Sequence, residues 1–333
     1  MNEDGVISLP NMPILSEEKI IRILWKHVGH GKNKVDPFSD DASWNPLDSR
    51  KKFLVAKSDM FVSSTDAPPK MTPRQMATKS VTACVSDLAS KGVRPQYCLI
   101  SIAIPRNKAH NSFVNSLGTG FSEASKLYGV RIVGGDTSSS ASDVILNCSV
   151  YGFSDRIVRR KGAKVGDLVG VTGAFGLQSA GLLVSLGKAK SRDKNFERNA
   201  INSVLNPRAR LETGLKLAKF LSSSIDSSDG LAISLHYLAE SSNVSIIMDS
   251  IPLSEGVGRF ADENSIADPS TLALFGGEEY EIVATYPAAS KNAVERLGVI
   301  TIGRAVKTLG KPDVFYQGKR IQKKGWMHFV SSD

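Results

Sequence analysis

Apolar positions in the first half of the chain switch between helical and strand-like spacing. Apolar residues that recur every three or four positions predict three helices, from Glu17 to about Val28, from Pro73 to about Lys91, and from Ala109 to Tyr128. The second helix begins with the capping box Thr72-Pro73-Arg74-Gln75 and ends before Gly92. Short apolar runs predict strands over residues 53–56, 97–104, 130–133 and 144–153. Residues 29–52 and 63–69 are predicted to be loops.

The second half repeats these patterns in shorter units. It predicts strands over residues 168–172 and 244–248, a strand ending at Ala284, and helices over residues 177–186, from Pro207 to about Leu221, and up to Glu240. Residues 188–202 are polar and give no clear prediction. Strands mixed with long helices are typical of a layered α/β protein. Because 333 residues are too many for one ordinary core, we expect two domains, residues 1–154 and 155–333, joined near Arg159 to Asp167.

The net charge of +9 is the first property that bears on partners. A basic surface attracts nucleic acid or small anionic substrates. The densest basic stretches, residues 156–161 and 319–324, lack interleaved aromatic residues of the kind that stack on bases. We therefore expect an anionic small molecule and no nucleic acid. No apolar run approaches 18 residues, so no membrane partner is expected either.

Cysteine usage points to a reducing compartment. Cys84, Cys98 and Cys148 lie in apolar surroundings without a CxxC spacing, which argues against zinc and predicts buried thiols in the cytoplasm. The acidic residues 1–5 are not followed by an apolar stretch, so no signal peptide is expected.

Seven aspartates stand in five short segments rich in Gly, Ser, Thr and small apolar residues: Asp40, Asp41, Asp59, Asp87, Asp136, Asp226 and Asp229. Carboxylates among small neighbours suit a hard divalent cation, which prefers oxygen ligands. If they converge, each like-charged pair at about 4 Å costs roughly 4 kcal/mol at an effective dielectric near 20. Several such carboxylates require several cations. Cations beside glycine-rich segments indicate phosphate chemistry.

Two of these aspartates allow a local interpretation. Asp87 lies on a largely apolar helix, where it is either a buried ligand or part of a wet face that pairs with Lys91 at i+4. Asp226 and Asp229 are three residues apart, so one helical turn would bring both to the same side.

Other phosphate-transfer and hydrolase motifs are absent from the sequence. It has no GxxxxGK[ST] loop, no protein-kinase motif set, no HExxH and no nucleophile elbow. Gly173-Ala174-Phe175-Gly176 follows a predicted strand, but a tight turn explains it as well as a phosphate loop does. A carboxylate-held metal site for phosphoryl transfer is the hypothesis that remains.

Eight short motifs in a fixed order resemble the thiamine-monophosphate kinase family, in its archaeal form, over nearly the whole chain. They include Asp40-Asp41-Ala42, Ser58-Asp59-Met60, Val85-Ser86-Asp87-Leu88-Ala89, Gly134-Gly135-Asp136-Thr137, Arg160-Lys161-Gly162-Ala163, Val171-Thr172-Gly173, Asp226-Ser227-Ser228-Asp229-Gly230-Leu231 and Gly276-Gly277-Glu278-Glu279-Tyr280-Glu281. The resemblance implies a two-domain fold like aminoimidazole ribonucleotide synthetase, with the N-terminal sheet pairing across a homodimer. It also implies direct transfer of the γ-phosphoryl group of ATP to thiamine monophosphate, assisted by several Mg²⁺ ions.

The resemblance assigns roles to individual residues. The implied magnesium ligands are Asp41, Ser58, Asp59, Asp87, Asp136, Asp226 and Asp229, of which Asp41, Asp87, Asp136 and Asp226 are the catalytic set. The implied ATP contacts are Tyr128, Gly135, Asp136, Arg160 and Ser228. The implied substrate contacts are Asp66, Glu278 and Trp326, the last with a π-face for the thiazolium cation. The attacking phosphate oxygen is already ionised, so no general base is expected.

Lys57 and Asp66 depart from the family pattern. Lys57 stands where a Ser or Thr is common, and Asp66 falls near the position of a histidine in the bacterial substrate loop. Two alternatives therefore stay open at the level of sequence. One is another ATP-dependent enzyme of the same superfamily, and the other is a non-catalytic protein that binds nucleotide and magnesium.

Overall fold

A five-stranded sheet organises the first part of the chain. The computed structural model describes residues 15–27, 40–47 and 52–326. The strands of this sheet are β1 (Ser43–Leu47), β2 (Lys52–Val62), β3 (Pro95–Pro105), β4 (Arg131–Ser140) and β5 (Ile145–Ser154). Their order in space is β1-β2-β5-β3-β4, and only the β3–β4 pair is parallel.

Two long helices cover one face of this sheet. The helices of this region are α1 (Glu17–His27), α2 (Ser63–Asp66), α3 (Pro73–Ser90) and α4 (Asn111–Tyr128), with a 3₁₀ turn at Arg106–Lys108. Buried apolar residues of α3 and α4 form one core with the facing positions of β2, β3 and β5. The predicted capping box at the start of α3 is confirmed, since Thr72 and Gln75 bond each other's main-chain N–H groups.

The opposite face of the sheet, which we call the open face, carries the other half of the alternating side chains. Along β5, Leu146, Cys148 and Val150 point toward the helices and are buried. The intervening positions belong to the open face, and strand register places Met60 and Leu99 beside them. Met60, Leu99 and Phe153 are exposed large apolar residues of this face.

Two strands are longer than the apolar pattern predicts. β2 continues past residue 56 to Val62, and so includes Lys57 and Asp59. β4 continues past residue 133 to Ser140, so it includes the motif Gly134–Thr137. β4 is an exposed edge strand of Gly, Ser and Thr residues that is held by pairing with β3, and no apolar periodicity marks it.

Two predicted loops also contain regular structure. Residues 43–47 form β1, an edge strand whose short exposed sequence carries no strand signal. Residues 29–39 and 48–51 of the same predicted loop lie outside the described residues, as does Val28, the predicted end of the first helix. The predicted loop at 63–69 begins with the single helical turn α2.

Gly135 is required by the close approach of β4 to β3. A Cβ atom at this position would lie 1.7 Å from the carbonyl oxygen of Ile100, whereas a Cβ at Gly134 would lie 3.4 Å from Leu99 Cδ2. We expect Gly135→Ala to lower the free energy of unfolding by about 1–3 kcal/mol. Gly134→Ala is the matched control and should change it by less than about 0.5 kcal/mol. Urea unfolding of both variants tests this, and equal losses would contradict it.

A seven-stranded sheet organises the second part of the chain. Its strands are β6 (Leu168–Val171), β7 (Ser223–Asp226), β8 (Ser245–Met248), β9 (Ile282–Tyr286), β10 (Ile300–Val306), β11 (Val314–Tyr316) and β12 (Lys319–Arg320). Their order is β12-β11-β8-β10-β6-β9-β7. The predicted domain division after residue 154 lies, in sequence, between the last strand of the first sheet and β6.

Short helices and turns connect these strands. They are α5 (Leu177–Ser185), α6 (Lys194–Leu205), α7 (Leu211–Leu217), α8 (Leu231–Ser242), α9 (Val257–Glu263), α10 (Ser270–Phe275) and α11 (Lys291–Glu295), with a 3₁₀ turn at Ala288–Ser290. α6 lies largely in the polar stretch 188–202, for which no element was predicted, although Asp193 caps the helix and Phe196, Ala200 and Val204 bury one face. α7 begins later than predicted, at Leu211 instead of Pro207, and ends earlier. No helix among the described residues is long and apolar enough to cross a bilayer.

Candidate functional site

Three buried carboxylates from distant parts of the chain meet in one cluster. Asp41 lies just before β1, Asp87 lies in the last turn of α3, and Asp226 is the last residue of β7. One oxygen from each lies within 4.8 Å of the others. Asp87 is 6% exposed and Asp226 is 3% exposed. We call Asp41, Asp87 and Asp226 the carboxylate cluster, and it unites three of the four predicted catalytic residues.

Two lysines pair with these carboxylates, of which Lys91 is buried and Lys57 is partly exposed. Lys57 Nζ lies 3.0 Å from Asp87 Oδ2 and 3.5 Å from Asp59 Oδ1. Lys91 Nζ lies 2.7 Å from Asp40 and 2.5 Å from Asp41, and it donates to the carbonyl of Ser224 at 2.7 Å. The interpretation of Asp87 as a wet-face partner of Lys91 is therefore wrong, because Asp87 is buried and its ammonium partner comes from β2.

Arg160, a predicted ATP contact, is the third cation of the site. Its Nε atom donates to Asp41 Oδ1 at 2.6 Å, and Nη2 contacts the same oxygen. Its main-chain N–H donates to Asp40 at 3.2 Å. The guanidinium carbon lies 4.9 Å from the ring centre of Tyr237. Arg160 thus stands at the edge of the carboxylate cluster, and the aspartates fix its position.

The three carboxylates of the cluster differ in their affinity for protons. Burial disfavours the charged form of Asp41, but Lys91 and Arg160 outweigh burial and lower its pKa to about 2. Burial and repulsion from Asp41 raise the pKa of Asp226 to about 6. Burial, followed by repulsion from Asp226 and Asp59, raises the pKa of Asp87 well above its usual range although Lys57 opposes the shift. The side chains present therefore leave Asp87 and Asp226 short of positive charge.

These residues fit a magnesium ion. All three groups of the carboxylate cluster are oxygen donors, which Mg²⁺ prefers. Burial is the largest cause of the raised pKa values of Asp87 and Asp226, and repulsion from neighbouring carboxylates adds to it. A divalent cation would offset that repulsion. Ser86 Oγ donates to Asp226 Oδ2 at 2.7 Å and orients that carboxylate.

A second group of predicted residues converges through Lys79. This buried lysine of α3 lies 2.5 Å from Glu278 Oε1 and donates to the carbonyl of Asp66 at 2.7 Å. The carboxylate of Asp66 accepts from the N–H of Val62 at 2.6 Å and so shapes the end of β2. Glu278 has a φ of +65° and donates its N–H to Ser228 O at 2.6 Å. The predicted substrate residues Asp66 and Glu278 are thus linked to the predicted ATP contact Ser228.

Trp326 joins this group from the C-terminal side. Its main-chain N–H donates to the carbonyl of Asp229 at 2.9 Å. The side chain is 52% exposed. This hydrogen bond ties the main chain at Trp326 to the loop that follows Asp226. The placement of Trp326 agrees with its predicted role, which stays a prediction.

Asp229 and Asp136 lie outside the carboxylate cluster. Asp226 ends a strand and residues 227–230 are not helical, so the prediction that a helical turn aligns Asp226 with Asp229 is wrong. Asp136 is exposed on β4 and is paired with Ser101, a position of the open face. The role of each as a ligand stays a prediction that this arrangement does not support directly.

Ser58 and Tyr128 are placed differently from their predicted contacts. Ser58 Oγ lies on the open face within 2.8 Å of Ser149 Oγ, so only its main-chain atoms face the site side of β2. Asp59, its neighbour, points toward α3 and contacts Lys57. Tyr128 is buried, and its hydroxyl bonds Thr82 and accepts from the N–H of Ala209. It packs the helices together and presents no face to a nucleotide.

The sequence did not identify Lys79, Lys91 or Ser86 as site residues. Lys79 and Ser86 lie on α3 with Asp87, Lys91 is the residue directly after that helix, and all three are buried. The available signal was the presence of one lysine inside and one at the end of an apolar helix, where a buried charged side chain needs a partner. Their partners are far away in sequence, so their function could not be deduced from local spacing.

A polar cleft of about 550 Å³ lies beside the loop that contains Glu278. Gln178, Asn202, Arg210 and Glu279 are among its lining residues. Glu279 accepts the N–H of Gly176 at 2.6 Å. Burial raises the pKa of Glu279 to about 8 in spite of that hydrogen bond, with a further contribution from the charge of Glu281.

Glu279 should make the folded chain less stable as the pH rises. Its pKa is about 8 in the folded chain and 4.5 ordinarily, so the folded chain binds more protons between these values and loses stability as the pH rises. Glu279→Gln keeps an acceptor for Gly176, and we expect it to be more stable than the parent near pH 9, with an advantage that vanishes toward about pH 5. Urea unfolding at both pH values, with exposed Glu255→Gln as control, tests this. An unchanged pH slope would contradict it.

Comparison with known proteins identifies the family. A model of the AIR synthase related protein, N-terminal domain, matches residues 39–154, which span β1 to β5. A thiamine-monophosphate kinase of Nitrosopumilus maritimus is 37% identical over 96% of this chain and 100% of the relative. One of Pyrococcus abyssi is 35% identical over 95% of this chain and 96% of the relative. The chain belongs to the thiamine-monophosphate kinase family.

Solved structures agree with this assignment to the thiamine-monophosphate kinase family. The structure of AaThiL complexed with AMPPCP and TMP has a TM-score of 0.83 and 29% identity, and the match covers 98% of this chain and 100% of that chain. The prediction drawn from the ordered motifs is therefore confirmed for the family and for the fold class.

Proposed function

We propose that the protein transfers the γ-phosphoryl group of ATP to thiamine monophosphate and so forms ADP and thiamine diphosphate. Membership of the thiamine-monophosphate kinase family supports this, as does the similarity to a structure that holds AMPPCP and TMP. The single observation in this chain that carries the proposal is the buried cluster of Asp41, Asp87 and Asp226 with cationic side chains around it. Such a cluster has no structural use that apolar residues would not serve better.

The chain's own residues account for most of what the reaction needs. Donor and acceptor phosphates are both anionic and must be brought into line. Magnesium, when bound by the carboxylate cluster, supplies the positive charge that offsets their repulsion. Arg160 is a fixed guanidinium beside the cluster, suited to a phosphate oxygen. The attacking phosphate oxygen is already ionised at neutral pH, so the proposed transfer needs no general base.

Substrate contacts are proposed for the other face of the site. The Lys79–Glu278 pair and Asp66 lie on one side, and the exposed indole of Trp326 lies beside Asp229. A cationic thiazolium gains from carboxylates and from an aromatic face. Asp59, Asp136, Asp229 and Ser58 remain proposed magnesium ligands, and Ser228, Gly135 and Asp136 remain proposed ATP contacts.

Turnover of the purified protein with ATP, Mg²⁺ and thiamine monophosphate tests the proposal. We expect ADP and thiamine diphosphate in equal amounts, measured by chromatography of both products. ADP without thiamine diphosphate would indicate a different acceptor and another enzyme of the superfamily. ATP binding with no product at all would favour the non-catalytic alternative and overturn the proposal.

We also propose a homodimer formed through the open face of the first sheet. Met60, Leu99 and Phe153 are large apolar residues that are exposed on that face of the chain. A second copy would cover them and would bring exposed β4, with Asp136, toward a neighbouring subunit. Sedimentation should give about twice 35.8 kDa. A monomer at micromolar concentration would contradict the proposal.

The buried free thiols of Cys84, Cys98 and Cys148 fit a cytoplasmic location.

A further inference from the structure

Lys57 occupies a position between two carboxylates that the family pattern assigns to metal. Its Nζ atom lies 3.0 Å from Asp87 Oδ2 and 3.5 Å from Asp59 Oδ1. These are the distances of an ion-paired ammonium that is shared by two acceptors. A cation bound between Asp59 and Asp87 would need the same oxygens. The ammonium and a metal ion therefore compete for one place.

Strand geometry fixes the ammonium in that place. Lys57 and Asp59 are two residues apart on β2, so both side chains leave the same face of the strand. They are opposite Val150 and Cys148 of β5, whose side chains are buried against α3. Asp87 comes from α3 and meets them there. Lys57 is mostly buried, with 22% of its side chain exposed, and its ammonium contacts both carboxylates.

The charges around Lys57 show what the ammonium contributes. Within residues 15–27, 40–47 and 52–326, the carboxylates linked through these contacts are Asp40, Asp41, Asp59, Asp87 and Asp226, and the cations are Lys57, Lys91 and Arg160. Five negative and three positive groups leave two negative charges, which one divalent cation balances. Without Lys57 three negative charges would remain, and a single divalent cation would no longer balance them.

We propose that Lys57 is a built-in counter-ion that takes the place of one divalent cation between Asp59 and Asp87. The carboxylate cluster of Asp41, Asp87 and Asp226 then holds a single divalent cation in the absence of nucleotide. This inference rests on the proposed metal site. It deepens that proposal because it states the number of divalent cations that the chain binds before ATP arrives with its own magnesium ions. The reason for that number is the charge of Lys57.

Counting bound Mn²⁺ in the full-length protein without nucleotide tests the inference. Free Mn²⁺ is measured by electron paramagnetic resonance during a titration. We expect one bound ion in the parent and one additional ion in Lys57→Ser. The double variant Lys57→Ser/Asp59→Asn removes one positive and one negative group together and should return to one ion. Lys126→Ser, at an exposed lysine of α4, is the control and should match the parent.

A second readout does not depend on metal counting. In EDTA, Lys57→Ser leaves Asp59 and Asp87 unscreened, so its Tm should fall and should rise more on adding Mn²⁺ than the Tm of the parent does. The double variant should recover most of the loss in EDTA. The double variant also keeps the test usable where the single variant folds poorly. It loses one positive charge at residue 57 and one negative charge at residue 59, so the net charge of the site is the same as in the parent.

The outcomes separate the inference from the proposal beneath it. A parent that binds no Mn²⁺ would overturn the metal site itself, and the inference with it. A parent that binds one ion and a Lys57→Ser variant that gains none would overturn only the role of Lys57. Two or more ions in the parent without nucleotide would do the same, because the ammonium would then not be displacing a cation.

Discussion

Asp87→Asn is expected to abolish phosphoryl transfer and to leave the fold intact. Asp87 is the member of the carboxylate cluster that also contacts Lys57, so its charge acts on that ammonium and would act on a bound divalent cation. Replacing the carboxylate by an amide removes a metal ligand and weakens the electrostatic stabilisation of the transferred group. We expect kcat to fall by about 10²- to 10³-fold or more. Measurement of kcat at saturating ATP and Mg²⁺ tests this.

The same substitution should not destabilise the metal-free protein. Burial, with repulsion from Asp226 and Asp59, raises the pKa of Asp87, so the folded chain is strained by its negative charge. Asn keeps an oxygen that Lys57 can donate to, and it removes the charge. The Tm in EDTA should therefore equal or exceed that of the parent. Exposed Asp262→Asn is the control for both measurements. Turnover retained in Asp87→Asn would remove Asp87 from the reaction.

Lys91→Met should cause the largest loss of stability among the substitutions considered. Lys91 is 1% exposed and contacts Asp40, Asp41 and the carbonyl of Ser224. Removing its charge leaves two buried carboxylates with Arg160 as their remaining close cation. Breaking a buried ion pair from one side costs about 3–5 kcal/mol, and we expect a loss of that size. Urea unfolding in EDTA measures it.

Two further variants make the Lys91 experiment specific. Lys126→Met removes an exposed lysine from α4 and should change the free energy of unfolding by less than about 0.5 kcal/mol. Asp41→Asn added to Lys91→Met removes one of the stranded carboxylates and should recover part of the loss. A loss below about 1 kcal/mol in Lys91→Met would mean that water or a shift of the chain compensates the carboxylates, and that Lys91 does not anchor them.

The sequence predicted those parts of the fold that have local signals. The capping box at Thr72 and the apolar spacing after it gave α3 nearly to the residue. β4 was missed beyond residue 133 because its Gly, Ser and Thr residues have no apolar alternation and depend on pairing with β3. α6 was missed because its apolar residues are widely spaced among polar ones, although the Asp193 cap was readable.

The site residues also differ in how far they could be predicted: some have a signal in the neighbouring sequence, and others depend on residues that are distant in the chain. The aspartates could be proposed because small residues around a carboxylate form a short, recognisable segment. Their cationic partners could not be assigned, because Lys91 reaches a carbonyl of β7 and Lys57 reaches a helix that begins after it in the chain. The face on which a strand residue points was also undetermined, and that is why Ser58 and Asp59 were grouped although they diverge.

The wide separation of the carboxylate cluster along the chain has a consequence for protein synthesis. A growing polypeptide has made Asp41 and Asp87 long before β7 supplies Asp226. Nascent or truncated chains that lack the second sheet therefore have no complete binding site and no carbonyl of Ser224 for Lys91. We expect incomplete products to leave the cellular pool of nucleotide and magnesium untouched. A chain that binds nucleotide and magnesium has therefore been translated past β7 and has formed both sheets.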